Sequence, residues 1–319
     1  MKKYNIGIDV GGTKILAAII NDKNEKIVSI KKNTKAYLGL DQTLNRIDII
    51  IQDLLVAAKF DISSIGGIGF GVPGAVDKTS GKVLIAPNLG WKNIDLKDFF
   101  QPKYPGVNLH IENDVNAGTF AEYTLTVEKK IKNVVGMFVG TGLGGGIILN
   151  GKLYYGTHGF AGEIGHMVIN YKGSKCNCGN QGCLEAYASK AGLINQIKAS
   201  KTKDALILQK YLSENNDVLK SSYLKKLINE NNLYITKLAK KMANKLAIGI
   251  INLSNLLDLE LIILGGGVID SMHEYLLPQI KKKIEELNVN NIAANLEIRL
   301  AQLSDDAVMI GAALLSQIK

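Results

Sequence analysis

The chain is predicted to be α/β and to be built as two related halves, on three observations. Residues 4–32 read strand, tight turn, strand, loop, strand; helical and strand-like stretches alternate beyond them; and the opening order recurs from residue 134.

In order along the chain, YNIGIDV (4–10), ILAAIIN (15–21) and KIVSIKK (26–32) are apolar runs separated by GGTK and DKNE. Their alternation is imperfect, as expected where a central strand is covered on both faces. Leu44, Ile47, Ile51, Leu54 and Leu55 follow at helical spacing, and IGGIGFGVPG makes a strand entering a Gly/Pro turn. From residue 134, VVGMFVG, the turn TGLGGG and the segment IILNGKLYYG repeat the first pattern in architecture, though not residue by residue. Residues 195–232 are rich in Lys, Asn and Ser with scattered leucines, which suits short amphipathic surface helices; they carry no motif and are assigned no function. A long helix near 233–257 runs into the strand LELIIL and the turn Gly265–Gly267. After a short strand at 297–300, residues 305–318 form a last helix with Asp305 or Asp306 near its N-terminus. The expected division is a small N-terminal α/β domain of residues 1–113 plus 303–319, and a large α/β domain of residues 114–302.

Composition narrows the function classes. Lys+Arg 38 against Asp+Glu 29 gives a net charge of +9, but only Arg46 and Arg299 are arginine and the lysines are dispersed. Nucleic-acid binding calls for clustered arginine with interleaved aromatics, so no nucleic-acid partner is expected. No apolar run approaches the roughly 18 residues of a membrane span, so no membrane partner is expected either. The opening MKKYNIGIDVGG is too short in its apolar part for a signal peptide, which predicts a cytoplasmic protein with reduced thiols. Pairing three cysteines as disulfides would also leave one over.

Four motifs carry chemistry. In DVGGTK, Asp9 ends a strand and Gly11, Gly12, Thr13 and Lys14 offer backbone N–H groups, a hydroxyl and an ammonium to an anion; Asp9 can hold Mg2+ through water. A plain hairpin turn explains the same residues. GTGLGGG supplies a second such turn with Gly140, Thr141, Gly142 and Gly144, and Gly265, Gly266 and Gly267 suit a flat adenine or ribose against backbone. Two glycine turns at equivalent places in two halves point to the two ends of one polyphosphate, and with the third glycine turn to a nucleotide. In HIENDVNA, Asp114 stands where a strand turns into a helix, either as a helix cap or as the base that phosphoryl transfer to an alcohol requires; Asn113 beside it can orient a sugar hydroxyl.

The fourth motif holds every cysteine. Cys176, Cys178 and Cys183 form C-x-C-x4-C with His166 ahead of them, a complete tetrahedral set for a structural Zn2+ with no position left for water. Inert core thiols or a redox pair are the alternatives, the latter lacking C-x-x-C. Glu163 and Glu185 flank the set and, with His166 and Asn113, make a polyol-binding group.

Residues 9–14, GVPG at 71–74, PNLGW at 87–91, END at 112–114, GTGLGGG, E-x-G-H at 163–166 and CNCGNQGCLE at 176–185 together resemble the ROK family over essentially the whole chain. That resemblance implies an actin/hexokinase-like (ribonuclease H-like) ATPase fold, two α/β domains around a cleft, and a homodimer or homotetramer. It implies a hexose kinase with Asp114 as general base, ATP and Mg2+ handled by Asp9 and the two glycine turns, and hexose bound by Asn113, Glu163, His166 and Glu185 with Gly74 and Asn88 as neighbours. The family also contains repressors with an N-terminal DNA-binding helix-turn-helix. Only eight residues precede Asp9, so the kinase branch is expected, and its glucokinase members are the most similar. N-acetylglucosamine, N-acetylmannosamine, allose and fructose kinases share many of these residues, and a non-catalytic sugar sensor is the reading from another class.

Overall fold

The computed structural model describes residues 3–288 and 293–318; the ends of the expected 1–113 and 303–319 segments lie outside the described residues. The opening strands fall where their apolar runs place them: β1 (Tyr4–Val10), β2 (Lys14–Asn21) and β3 (Lys26–Asn33) form an antiparallel meander. Helix α1 (Leu40–Ala58) buries Leu44, Ile47, Ile51 and Leu54, the stripe its spacing predicts. Strand β4 (Ile65–Val72) is almost wholly buried and pairs parallel with β1.

A small antiparallel sheet of β5 (Ala75–Val76), β6 (Val83–Ala86) and β7 (Trp91–Ile94) follows. Strands of two to four residues are too short to display alternation, so nothing in the sequence pattern announces them. Next come α2 (Leu96–Phe100), then β8 (Asn108–Asn113), parallel to β4, and α3 (Asp114–Thr126). The first large sheet therefore has the order β3-β2-β1-β4-β8.

The second half repeats the plan with β9 (Val134–Val139), β10 (Leu143–Leu149) and β11 (Lys152–Leu153). Here the turn is narrower than expected, since it spans only residues 140–142 and the last glycines of the motif lie inside β10. One of them has a packing reason: a Cβ on Gly146 would stand 2.3 Å from the Thr119 hydroxyl of α3. Four helices follow, α4 (Lys190–Ala199), α5 (Lys203–Glu214), α6 (Ser221–Asn229) and α7 (Leu233–Leu257), so the lysine-rich region is helical as expected. Strand β12 (Leu261–Gly265) leads into α8 (Gly267–Leu287) and then β13 (Glu297–Leu300). The second sheet has the order β11-β10-β9-β12-β13, with β9, β12 and β13 parallel. Both large sheets thus carry hairpin strands at one end and parallel strands at the other, which is the two-halves arrangement of an actin/hexokinase-like α/β fold.

The chain ends in α9 (Ala307–Leu315), which returns to the first sheet and packs on β1, β4 and α3. It fits because β1 and β4 present glycines there: a Cβ on Gly7 would meet the Met309 carbonyl at 1.9 Å, and one on Gly69 the Ala312 carbonyl at 1.8 Å. Two compact units result. Unit 1 comprises Met1–Lys129, Gly146–Gly162 and Asp305–Lys319, and unit 2 comprises Lys130–Gly145 and Glu163–Ser304. Among the described residues no helix is long and apolar enough to cross a membrane.

Candidate functional site

In unit 1, the turn between β1 and β2 is closed by Gly11 N–H donating to the Lys14 carbonyl (3.0 Å) and braced by Thr34, whose hydroxyl donates to the Gly11 carbonyl (2.5 Å) and whose N–H donates to the Thr13 carbonyl (2.9 Å). Gly12 lies so close to the loop after β6 that a Cβ would stand 2.8 Å from the Asn88 carbonyl. Lys14 donates to Asp305 Oδ2 at 2.5 Å, and Lys31 reaches the same oxygen at 3.9 Å. That hydrogen bond from Lys14 holds the Asp305 carboxyl below the usual carboxylate range.

Asp9, at the end of β1, behaves oppositely. Its carboxyl is pushed up to about 7, chiefly by desolvation and then by the neighbouring Asp114, with Lys14 pulling it down and Asp305 raising it. Asp9 thus has two carboxylates, Asp114 and Asp305, and one ammonium, Lys14, acting on it, an arrangement short of positive charge at that position. Hard divalent cations such as Mg2+ take oxygen ligands, so this donor set fits one.

Strand β8 delivers Asn113 and Asp114 to the start of α3. Asn113 is the N-cap, its side-chain oxygen accepting the Asn116 N–H at 3.0 Å. Its amide donates to the Gly74 carbonyl (2.9 Å) and to Asp114 Oδ1 (3.1 Å), and Asp114 Oδ1 also accepts the Val115 N–H at 2.9 Å. The capping duty that the sequence left open for Asp114 therefore belongs to Asn113. Gly74, Asn113 and Asp114 are brought together, and the Asp114 Cα lies 3.7 Å from where a Cβ on Gly71 would stand.

In unit 2, Gly140 N–H donates to the Gly142 carbonyl (2.9 Å), while Lys190 and Ala191 N–H donate to the Gly140 and Thr141 carbonyls, each at 3.0 Å. Glu185 turns its carboxylate to the same turn, Oε2 accepting the Leu143 N–H at 2.9 Å. Glu163 Oε2 lies 3.8 Å from His166 Nε2, and both side chains reach solvent. Gly265 ends β12, Gly266 has φ 88° as it caps α8, and Gly267 opens that helix.

The cysteines form a tight hairpin tied by Cys176 N–H to the Asn180 carbonyl (2.8 Å) and Gly182 N–H to the Ser174 carbonyl (2.8 Å). The donor atoms of His166, Cys176, Cys178 and Cys183 all lie within 4.8 Å of one another. Cys178 Sγ is 3.8 Å from Cys183 Sγ; a tetrahedron with metal–sulfur bonds of about 2.3 Å has edges of about 3.8 Å, so the quartet fits zinc. Burial pushes the Cys176 thiol up to about 12 and raises that of Cys183, while the Asn180 backbone N–H lowers that of Cys178. Cys176 Sγ also sits 3.5 Å from Glu185 Oε1, so the hairpin and the glycine turn share one carboxylate.

Sequence reasoning did not find the partner of Lys14. Asp305 appeared only as a helix-start residue, and the adjacent DD before an apolar helix was its one signal. Glu112 and Tyr155, which hydrogen-bond beneath Asn113, were likewise assigned no role.

The ROK family profile matches residues 5–319. The chain is 34% identical over 307 residues to a xylose repressor of Caldicellulosiruptor bescii, covering 96% of this chain and 76% of that protein. It is 32% identical over 314 residues to a glucokinase of Halalkalibacterium halodurans, covering 97% and 93%. Among solved structures, a ROK family glucokinase from Streptomyces griseus in complex with glucose and AMPPNP superposes with a TM-score of 0.79 at 28% identity, covering 98% of each chain.

Proposed function

The chain belongs to the ROK family, and from that premise we propose that it is an ATP-dependent hexose kinase with glucose as the first substrate to test and Asp114 as general base. The observation that carries this reading is the gathering of Asp9, Asp114, Asp305 and Lys14 in unit 1, with the Asp9 carboxyl raised to about 7. A protein that only binds sugar has no use for a partly desolvated acid beside a second carboxylate and a glycine turn. A phosphoryl-transfer enzyme does, because charge must be balanced around the transferring group.

Asp114 accepts the proton of the 6-hydroxyl as that oxygen bonds to the γ-phosphorus and the bond to the β-phosphate oxygen breaks, releasing ADP. Its Oδ1 is fixed by Asn113 and Val115, which aims the carboxylate. General-base help is worth roughly 10²–10⁴ in rate. Positioning and charge stabilisation supply the remainder. In this scheme Gly11, Gly12, Thr13 and Lys14 in unit 1, and Gly140, Thr141, Gly142 and Gly144 in unit 2, serve the phosphates, with Gly265, Gly266 and Gly267 for the nucleoside. Gly74, Asn88 and Asn113 in unit 1, and Glu163, His166 and Glu185 in unit 2, serve the sugar. Asp9 is the residue to hold Mg2+, which would neutralise phosphate charge. His166, Cys176, Cys178 and Cys183 would hold Zn2+ in a closed set, which serves the hairpin's shape rather than bond-making.

A sugar-responsive regulator is the second reading, favoured by the 34% identity to a xylose repressor. N-acetylglucosamine or N-acetylmannosamine is the alternative acceptor within the kinase reading. A coupled ADP-release assay with ATP and Mg2+ across glucose, N-acetylglucosamine, N-acetylmannosamine, mannose, fructose and xylose separates these. ADP release with one hexose well above the sugar-free rate supports the kinase; sugar binding with no ADP release from any supports the regulator. Asp114→Asn is expected to bind sugar yet lose turnover by several orders of magnitude, and near-normal turnover would refute the assigned base.

A further inference from the structure

Glu112 is one of the few charged residues buried among the described residues, at 5% exposure, and it sits two positions before Asp114. Burying a carboxylate is costly unless every lone pair is used. Here they are. Oε1 accepts the Asn113 N–H (2.9 Å) and the Asn116 side-chain amide (3.1 Å), and Oε2 accepts the Tyr155 hydroxyl at 2.8 Å. His110 Nε2 lies 3.6 Å from Oε2.

Tyr155 reaches Glu112 from the segment after β11, which is anchored to β10 through Tyr154 N–H and the Ile147 carbonyl (2.8 Å). The Lys78 ammonium lies 4.0 Å over its ring. Burial, and then the Glu112 carboxylate, push the Tyr155 phenol well above its ordinary value, so it stays a donor.

We infer that Glu112, held by Tyr155, is a positioning residue for Asp114: one buried carboxylate fixes the Asn113 peptide from which the base departs and the Asn116 side chain in the first turn of its helix. This rests on the kinase reading and deepens it. The carboxylate grips the Asn113 N–H, the Asn116 side chain and the Tyr155 hydroxyl, whereas the Asn113 side chain is held independently by the Gly74 carbonyl and the Asn116 N–H, so loss of Glu112 disturbs the aim of Asp114 more than it disturbs sugar binding.

Tyr155→Phe deletes one hydroxyl and leaves the ring beneath Lys78, and Glu112→Gln keeps the shape and removes the charge. Each is expected to lower kcat about tenfold or more, the scale expected when a reacting group is misplaced by a fraction of an ångström, with the sugar KM within about twofold. Glu112→Ala combined with Tyr155→Phe is expected to be no worse than Glu112→Ala alone, because both cut the same link. Values of kcat within twofold of wild type, a loss borne by KM instead, or additive losses would overturn the inference. Amide exchange gives an independent readout: Tyr155→Phe should quicken exchange at Asn113 and Asn116, and unchanged exchange there overturns the clamp. If the wild-type protein turns over no sugar, the kinase reading fails by that result alone, and amide exchange still decides whether the clamp exists.

Discussion

Asp9→Asn should make the ligand-free protein more stable above neutral pH and leave it unchanged in acid. The Asp9 carboxyl moves from 3.8 to about 7 on folding, through desolvation first, then Asp114, with Asp305 adding and Lys14 opposing. The unfolded chain therefore gives up this proton near pH 4, whereas the folded chain keeps it until about pH 7. Across that interval the folded state binds more protons, so stability falls as pH rises, and the full penalty is present above about pH 7. At about 1.4 kcal/mol per pKa unit the ceiling is about 4 kcal/mol, and relaxation around the site brings the expected gain for the asparagine variant to about 2–4 kcal/mol. The single tryptophan, Trp91, is buried in unit 1 together with Asp9, so its fluorescence in urea reports the relevant unit. Titrations at several pH values should show no difference between the proteins near pH 4 and a plateau above about pH 7. A constant difference at every pH, or a less stable variant at alkaline pH, would refute the account of Asp9 as a carboxylate waiting for a cation.

Two other perturbations test the unit 2 half. Cys178→Ser removes one corner of the quartet, so zinc measured by plasma emission should fall from one equivalent per chain towards zero and the sugar KM should rise. Unchanged sugar affinity with no zinc bound would sink the structural role given to the metal. Gly142→Ala would place a Cβ 2.5 Å from Glu185 Oε2 and expel that carboxylate from the Leu143 N–H. The hydrogen bond, worth about 1.5–3 kcal/mol to a charged acceptor, is lost and the turn shifts, so the KM for ATP should rise about tenfold or more; a KM for ATP equal to wild type would show that the turn does not serve the nucleotide.

What the sequence could reveal divides along the range of the interactions. The opening strands, α1 and α7 are declared by local periodicity, and the gathering of His166 with the three cysteines by spacing within eighteen residues, so both were legible directly. Asn113 and Asp114 were legible as a strand-to-helix junction, although only the geometry decides that Asn113 is the cap. The partner of Lys14 was not, because Asp305 is 291 residues away and reaches it only after α9 has docked. Tyr155 and Glu112 are separated by 43 residues and an intervening hairpin, and no local pattern links them. Glu185 is placed with the sugar residues from its nearness to Cys183, and its contact with a backbone N–H of the glycine turn 42 residues upstream has no local signal.

The placement of α9 bears on how the protein is made. Its backbone lies directly against Gly7 and Gly69, strand positions synthesised at the start, while the helix itself emerges from the ribosome only after every residue of unit 2. The first sheet therefore spends nearly the whole of translation with one face uncovered, and unit 2 can finish folding before it. Growing chains arrested before residue 305 should accordingly be captured by chaperones through the sheet of β1 and β4, and chains released past residue 315 should not.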